Sequence, residues 1–151
     1  MNAGPGTMTW RPGASRLAVE ERSRVLGEIR RFFAQRGVLE VETPVIGCSA
    51  VSNPNIRNIR VDVSRQAYLR TSPEYAMKRM LAAGYGDMYE LGRVFRAGEK
   101  GRMHNPEFTM LEWYRVGMAY LDLADEVIEL VRCCARGAID AWQVQRLSYR
   151  E

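Results

Sequence analysis

Residues 88–96 and 107–116 alternate in character along the chain, on either side of a polar segment that contains Gly98 and Gly101. Every second side chain of a strand shares a face, so this pattern predicts an antiparallel hairpin with a long loop over 97–106. Around it the chain changes period. Residues 17–36 set Val25, Leu26, Ile29, Phe32 and Phe33 at helical spacing, with Arg and Glu residues on the other face. Gly37 tolerates the left-handed conformation that ends such a helix. Residues 38–43 read as a short strand, stopped at Pro44 because proline has no N–H for ladder pairing.

Residues 47–58 are polar, with Asn53-Pro54-Asn55 as a turn signal. Residues 59–63 and 66–71 read as two strands, paired as a hairpin. Ser72-Pro73-Glu74 is a helix start: Ser72 as N-cap, Pro73 at the first helical position, Glu74 near the positive end of the dipole. That helix runs to about Ala83, with Gly84 stopping it. A last helix covers 121–136, with Leu121, Ala124, Val127, Ile128 and Val131 as its apolar face, and a strand-like start follows at 146–149. The expected fold is α+β, an antiparallel sheet flanked by helices, behind a Gly/Pro/Ala-rich flexible tail at residues 1–16.

The 151 residues allow one domain with a core, and 46% apolar with 26% charged residues is ordinary globular usage. A net charge of +4 is compatible with an anionic ligand such as ATP or RNA, but there is no Lys/Arg run of nucleic-acid-arm density. Three cysteines, Cys48, Cys133 and Cys134, are an odd set with two adjacent, which favours reduced thiols over a disulfide framework. His104 is the only histidine, and no Cys-x-x-Cys accompanies it, which argues against zinc. A hydrolase triad would have to use His104, and no nucleophile-elbow sequence is present. The N-terminus lacks a signal-peptide apolar core, and no run approaches the roughly 20 apolar residues of a membrane helix. A cytoplasmic protein without membrane association is expected.

The second hairpin strand carries the chemistry. Period two puts Phe108, Met110, Glu112 and Tyr114 on one face, and a rise of roughly 3.3 Å per residue sets Phe108 and Glu112 about 13 Å apart. An aromatic platform and a carboxylate at that distance could hold both ends of an elongated ligand. A planar base would stack on Phe108, and a cation would meet Glu112 with the Tyr114 hydroxyl beside it. Arg96 on the partner strand would reach a phosphate or carboxylate between them. The same pattern also arises where aromatics fill a core and an Arg–Glu pair is structural; spacing alone leaves both readings open.

A longer string bears on that choice. Phe95-Arg96, then His104-Asn105-Pro106-Glu107-Phe108-Thr109 and Leu111-Glu112-Trp113-Tyr114, closely resembles motif 2 of class II lysyl-tRNA synthetases. Arg36-Gly37-Val38-Leu39-Glu40-Val41-Glu42-Thr43-Pro44 resembles motif 1, the dimer-interface helix, strand and proline of class II enzymes. Thr71-Ser72-Pro73-Glu74-Tyr75 with Lys78-Arg79 resembles their amino-acid-binding segment. The three lie in family order and span about residues 17–149. Within the superfamily, Arg31-Phe32-Phe33-Ala34 through Pro44 and Glu112-Trp113-Tyr114-Arg115 resemble the elongation factor P (R)-β-lysine ligases. Only about 16 residues precede the first helix, too few for the anticodon-binding barrel of a lysyl-tRNA synthetase.

The resemblance implies roles. Arg96 would bind the ATP α-phosphate and the substrate carboxylate. Ala97, Gly98, Glu99, His104 and Asn105 would surround the nucleotide, with the adenine on Phe108. Ser72, Pro73 and Glu74 would form the substrate segment, Glu74 holding the substrate amino group, and Glu112 with Tyr114 would recognise the side-chain amine. ATP would bring its Mg2+, with no protein ligands in this chain. The product would be an aminoacyl adenylate of lysine or β-lysine, and the acceptor a lysine of elongation factor P. Motif 1 implies a homodimer. Lys78 and Arg79 read as a solvated helix face rather than an RNA contact. Two departures stand out. The family glutamate two positions after the motif 2 arginine is Gly98 here, with Glu99 one position on. Nothing in residues 115–151 matches the Gly-rich motif 3 or the metal-binding carboxylates before it. The expectation is therefore residues 17–151 as a partial catalytic domain with an incomplete sheet, and weak or no pyrophosphate exchange. The competing readings are a lysyl-tRNA synthetase fragment that charges tRNA, and a non-catalytic dimerising or binding paralogue.

Overall fold

A computed structural model describes Trp10 and residues 12–62, 66–137 and 142–147. Three helices and six strands follow in the order α1 (Arg16–Ala34), β1 (Leu39–Glu40), β2 (Ile46–Gly47), β3 (Ile59–Asp62), β4 (Gln66–Leu69), α2 (Glu74–Ala82), β5 (Met88–Phe95), β6 (Glu107–Tyr114), α3 (Tyr120–Ala135). The fold is α+β, as the alternation of periods predicts.

The β5–β6 hairpin is antiparallel over its whole length, with Glu90 opposite Glu112 and Val94 opposite Phe108. Its two faces do different jobs. Tyr89, Leu91, Leu111 and Trp113 face a core made with Ile29, Phe32, Phe33, Val38 and Leu130. Phe33 is the centre of it, fully buried, stacked on Tyr89 with ring centroids 4.4 Å apart and 5.5 Å from Trp113. The alternate residues of the hairpin, Glu90, Gly92, Met110 and Glu112, are left for the opposite face.

The second predicted hairpin is also found, β3 against β4 with Asp62 opposite Gln66; Val63 lies outside the described residues. β2 pairs antiparallel with the other edge of β4. The first sheet departs from the antiparallel expectation. The strand foreseen at 38–43 shrinks to Leu39–Glu40 and pairs parallel with β5, so that sheet is mixed. Beyond it Val41 still donates its N–H to the Tyr89 carbonyl at 2.9 Å, and the chain then turns off at Thr43-Pro44.

Helix limits follow the local signals. Ser15 caps α1 by accepting the Ala18 N–H at 3.2 Å, and Gly37 and Gly84 adopt φ of +67° and +82° just past α1 and α2. At α2 the cap position falls on Pro73 rather than Ser72, yet the Ser72 hydroxyl still accepts the Glu74 N–H at 3.0 Å. The apolar face expected for α3 is corrected. Leu121, Val127 and Val131 are exposed and Ala124 and Ile128 half-buried, while the buried residues of the helix are Glu126 and Leu130, the latter in the core shared with α1. Glu126 is paid for by partners on and just past β6: Trp113 donates to it at 3.0 Å, and Arg115 Nε lies 3.4 Å away. Residues 142–147 form no strand, and 148–149 lie outside the described residues, as does most of the expected tail.

Candidate functional site

The site forms where the polar face of the β5–β6 hairpin meets the segment between β4 and α2. A cleft of about 650 Å³ there is lined by Ser72, Glu74, Arg96, Met110 and Glu112, with Thr71 and Tyr75. Its far wall is the 51–56 segment, including Val51, Ser52 and Asn53. Four residues singled out from the sequence thus share one wall set although they come from three elements.

Glu112 is the best-defined group. Ser72 Oγ donates to its Oε2 at 2.8 Å and Tyr114 OH to its Oε1 at 2.7 Å. Both donors are neutral, so the carboxylate is oriented without an ionic partner among the described residues. A carboxylate oxygen can accept more than one hydrogen bond, which leaves room for an added cation. Glu74 pairs with Lys78 one helical turn on, at 2.6 Å, and that carboxylate holds the Lys78 ammonium above its ordinary range.

Arg96 extends from the end of β5. Its Nε donates to the Thr71 carbonyl at 3.3 Å, and Glu99 lies 3.8 Å from its Nη1. Its guanidinium carbon sits 5.2 Å above the Phe108 ring centroid. Contact across an aromatic face takes about 3.5–4 Å on each side, so no base fits between the two as they stand.

The remaining sequence candidates lie around this centre. Pro73 is buried and does not line the cleft. Phe108 and Tyr114 do not line the cleft themselves; each contacts a residue that does, Phe108 Arg96 and Tyr114 Glu112. Ala97 donates its N–H to the Arg57 carbonyl at 2.8 Å, which pins the start of the loop. Gly98 follows at φ +78° with its α-carbon facing the Arg57 side chain. Glu99 is half-buried beside Arg96. His104 and Asn105 are exposed, His104 in a tight turn in which Gly101 donates to its carbonyl at 3.1 Å; the structure does not bring them into the cleft. Among the described residues, no group of three His, Cys, Asp or Glu is placed to hold a metal ion, and no helix is long and apolar enough to cross a membrane. Cys48, Cys133 and Cys134 are free thiols.

Sequence reasoning missed what lies under the site. Glu90, 2% exposed, accepts the Thr43 N–H at 3.1 Å and the Thr43 hydroxyl at 2.7 Å, and pairs with Arg70. One signal for it was available: Gly92 inside a strand pattern marks a close approach.

The Tyr114 hydroxyl is pushed well above the usual phenol range, first by burial, then by its bond to Glu112 and by the Glu112 and Glu74 charges. A phenol with a raised folded value contributes stability that is fully present below its ordinary pKa of about 10 and lost as pH rises through the folded value. Tyr89 is raised likewise, by burial and then by its bond to Glu40. Phenolate absorbance of the folded chain should therefore show two late-titrating tyrosines. Tyr114→Phe should remove one and flatten the alkaline loss of stability. Titration of Tyr114 alongside free tyrosine would refute the assigned environment.

The profile of the family described as tRNA synthetases class II (D, K and N) matches residues 6–149. The chain belongs to that family. It is also similar to class II relatives named elongation factor P (R)-β-lysine ligase. The one from Photorhabdus laumondii is 45% identical over 96% of this chain, that from Yersinia enterocolitica 44% over 96%, and that from Vibrio cholerae 42% over 94%. The chain spans 46%, 46% and 45% of those proteins respectively, about half the length of the relatives it matches. The hairpin, the Ser72–Glu74 segment and the Arg36–Pro44 segment all fall inside the region shared with this class II family.

Proposed function

We propose that this chain carries the amino-acid- and ATP-binding front part of a ligase that activates lysine or β-lysine and passes it to a lysine of elongation factor P. The observation that carries the reading is Glu112. It is a carboxylate held by two neutral donors, in a cleft that also holds Glu74 and Arg96. An amino acid with a second ammonium suits that arrangement. One ammonium docks at Glu112 with Tyr114 beside it, the amino group nearer the carboxylate (α in lysine, β in β-lysine) reaches Glu74, and the carboxylate lies toward Arg96. The names of the relatives supply the acceptor.

In this reading a substrate carboxylate oxygen attacks the α-phosphorus of ATP. The bond to the bridging oxygen breaks, and pyrophosphate leaves. The acceptor amine then attacks the acyl carbon, loses a proton, and AMP leaves. Arg96 swings from over Phe108 to the phosphate and stabilises the developing charge, while the adenine takes its place on the ring. Ala97, Gly98, Glu99, His104 and Asn105 close over the nucleotide, which requires the 97–106 loop to move inward. The residues present fit a phosphate through Arg96. Mg2+ would neutralise phosphate charge, and its place is on the nucleotide rather than on a carboxylate cluster of this chain. Residues 17–151 act as part of a catalytic domain, in the cytoplasm, as a homodimer through the 36–44 segment.

The family description equally covers enzymes that charge tRNA, so the acceptor needs a direct test. The chain is first titrated calorimetrically with lysine, β-lysine and norleucine; tighter binding of the first two than of the third is expected. It is then incubated with ATP, labelled lysine analogues, and either elongation factor P or tRNA. Label on elongation factor P is the expected result, and label on tRNA alone would reverse the assignment. Binding without transfer to either would favour the non-catalytic binding paralogue.

A further inference from the structure

Arg70 lies two residues before Ser72 and does not line the Glu112 cleft, yet its bonds tie both β5 and the 43–45 segment to the end of β4. Its Nη1 donates to the Thr43 carbonyl at 2.9 Å and to the Thr43 hydroxyl at 2.8 Å, and its Nε to the Arg93 carbonyl at 2.8 Å. The same guanidinium pairs with Glu90, and both side chains are more than nine-tenths buried, at 8% and 3% exposed. Its backbone joins the two sheets: its N–H donates to the Val45 carbonyl and its carbonyl accepts the Phe95 N–H, each at 2.9 Å. The side chain reaches Glu90 only because residue 92 is glycine. A β-carbon there would collide with the Arg70 guanidinium and lie 2.9 Å from Glu90 Oε1.

What this clamp holds is the spacing of the site. Two residues on from Arg70, the Ser72 hydroxyl donates to Glu112 and accepts the N–H of Glu74. One hydroxyl thus ties the β6 carboxylate to the start of α2. Glu90, the residue Arg70 grips, stands directly opposite Glu112 in the β5–β6 register. Both ends of the ruler between Glu74 and Glu112 are therefore anchored to one buried guanidinium, β6 through Glu90 and β5, α2 through the chain.

Resting on the proposed reading of Glu74 and Glu112 as the two ammonium-recognising groups, we propose that Arg70 is a positioning residue that fixes their separation and so the length of the diamino acid accepted. A planar fork with several donors is needed for this; an ammonium of the same charge can neutralise Glu90 but cannot also span Thr43 and Arg93. Arg70→Lys therefore keeps the charge and loosens the ruler.

The test is the ratio of affinities for lysine and for ornithine, one methylene shorter, measured by calorimetry on the 151-residue chain. Lysine binding by the unsubstituted chain is checked first; its absence defeats the proposed function itself, before any variant is made. Arg70→Lys should lower the lysine-to-ornithine ratio at least fivefold, and Thr43→Val, which removes one acceptor of the fork and one donor to Glu90 and keeps the shape, at least twofold. Circular dichroism checks the fold of each. If both affinities fall together and the ratio holds, Arg70 is structural only and the inference is overturned. If Arg70→Lys does not fold, Thr43→Val decides by the same ratio. Loss of fold in both assigns the clamp to folding alone and equally overturns it.

Discussion

Phe33→Ala is expected to destabilise the chain by about 3–5 kcal/mol, the range for emptying a fully buried phenylalanine site. Phe33 has no exposed surface and touches three other rings: Phe32 edge-on at 5.3 Å, Tyr89 stacked at 4.4 Å and Trp113 tilted at 5.5 Å. Those partners come from α1, β5 and β6, so no single side chain can slide into the space without breaking a pairing elsewhere. The cost should therefore sit at the upper end of the range, because poor collapse leaves a residual cavity. At about 2–4 °C per kcal/mol for a chain of this size, the melting temperature should fall by roughly 6–20 °C. Thermal unfolding followed by circular dichroism measures it. A loss below about 1 kcal/mol would mean that the helix-to-hairpin core is not the main one.

That core was legible because apolar periodicity is a strong signal when one element has one job. Ile29, Phe32 and Phe33 recur at helical spacing and are the buried residues of α1. The β5–β6 hairpin alternates because one face meets the helices and the other the cleft, so the same period that located the core also picked out Met110 and Glu112. What was not legible is polar burial. The hydrophobic face read for α3 pointed to Leu121, Val127 and Val131, and the helix instead turns Glu126 inward, where Trp113 and Arg115 receive it. A carboxylate counts as a surface residue until its partners are known, and these partners lie outside its own helix. Arg70 and Glu90 escaped for the same reason. They sit 20 residues apart in the chain, and only the folded register reveals that they complete each other. The parallel pairing of β1 likewise depends on where the Thr43-Pro44 turn sends the chain, which its own few residues do not encode.

Glu112→Gln should cut lysine affinity about 100-fold while leaving the fold intact. The argument starts from the two donors already on the carboxylate. Ser72 Oγ reaches one oxygen and Tyr114 OH the other. An amide keeps one acceptor oxygen and replaces the second with an NH2 group, so one of the two hydroxyls meets a donor. The hydroxyl can rotate away, which makes the loss of stability small, on the order of 1 kcal/mol. The effect on a cation is larger. A hydrogen bond to a charged group contributes about 1.5–3 kcal/mol, and removing one charge of a desolvated pair costs about 2–5 kcal/mol. Taking about 3 kcal/mol, with every 1.4 kcal/mol a factor of ten, gives a loss of roughly two orders of magnitude. Norleucine, which keeps the four side-chain carbons and lacks the ammonium, should change by less than about threefold, because it never had the ion pair to lose. Isothermal titration with both ligands on both forms of the chain gives the comparison. Equal losses for lysine and norleucine would place the ammonium somewhere other than Glu112, and with it the polarity of the whole site would have to be reversed.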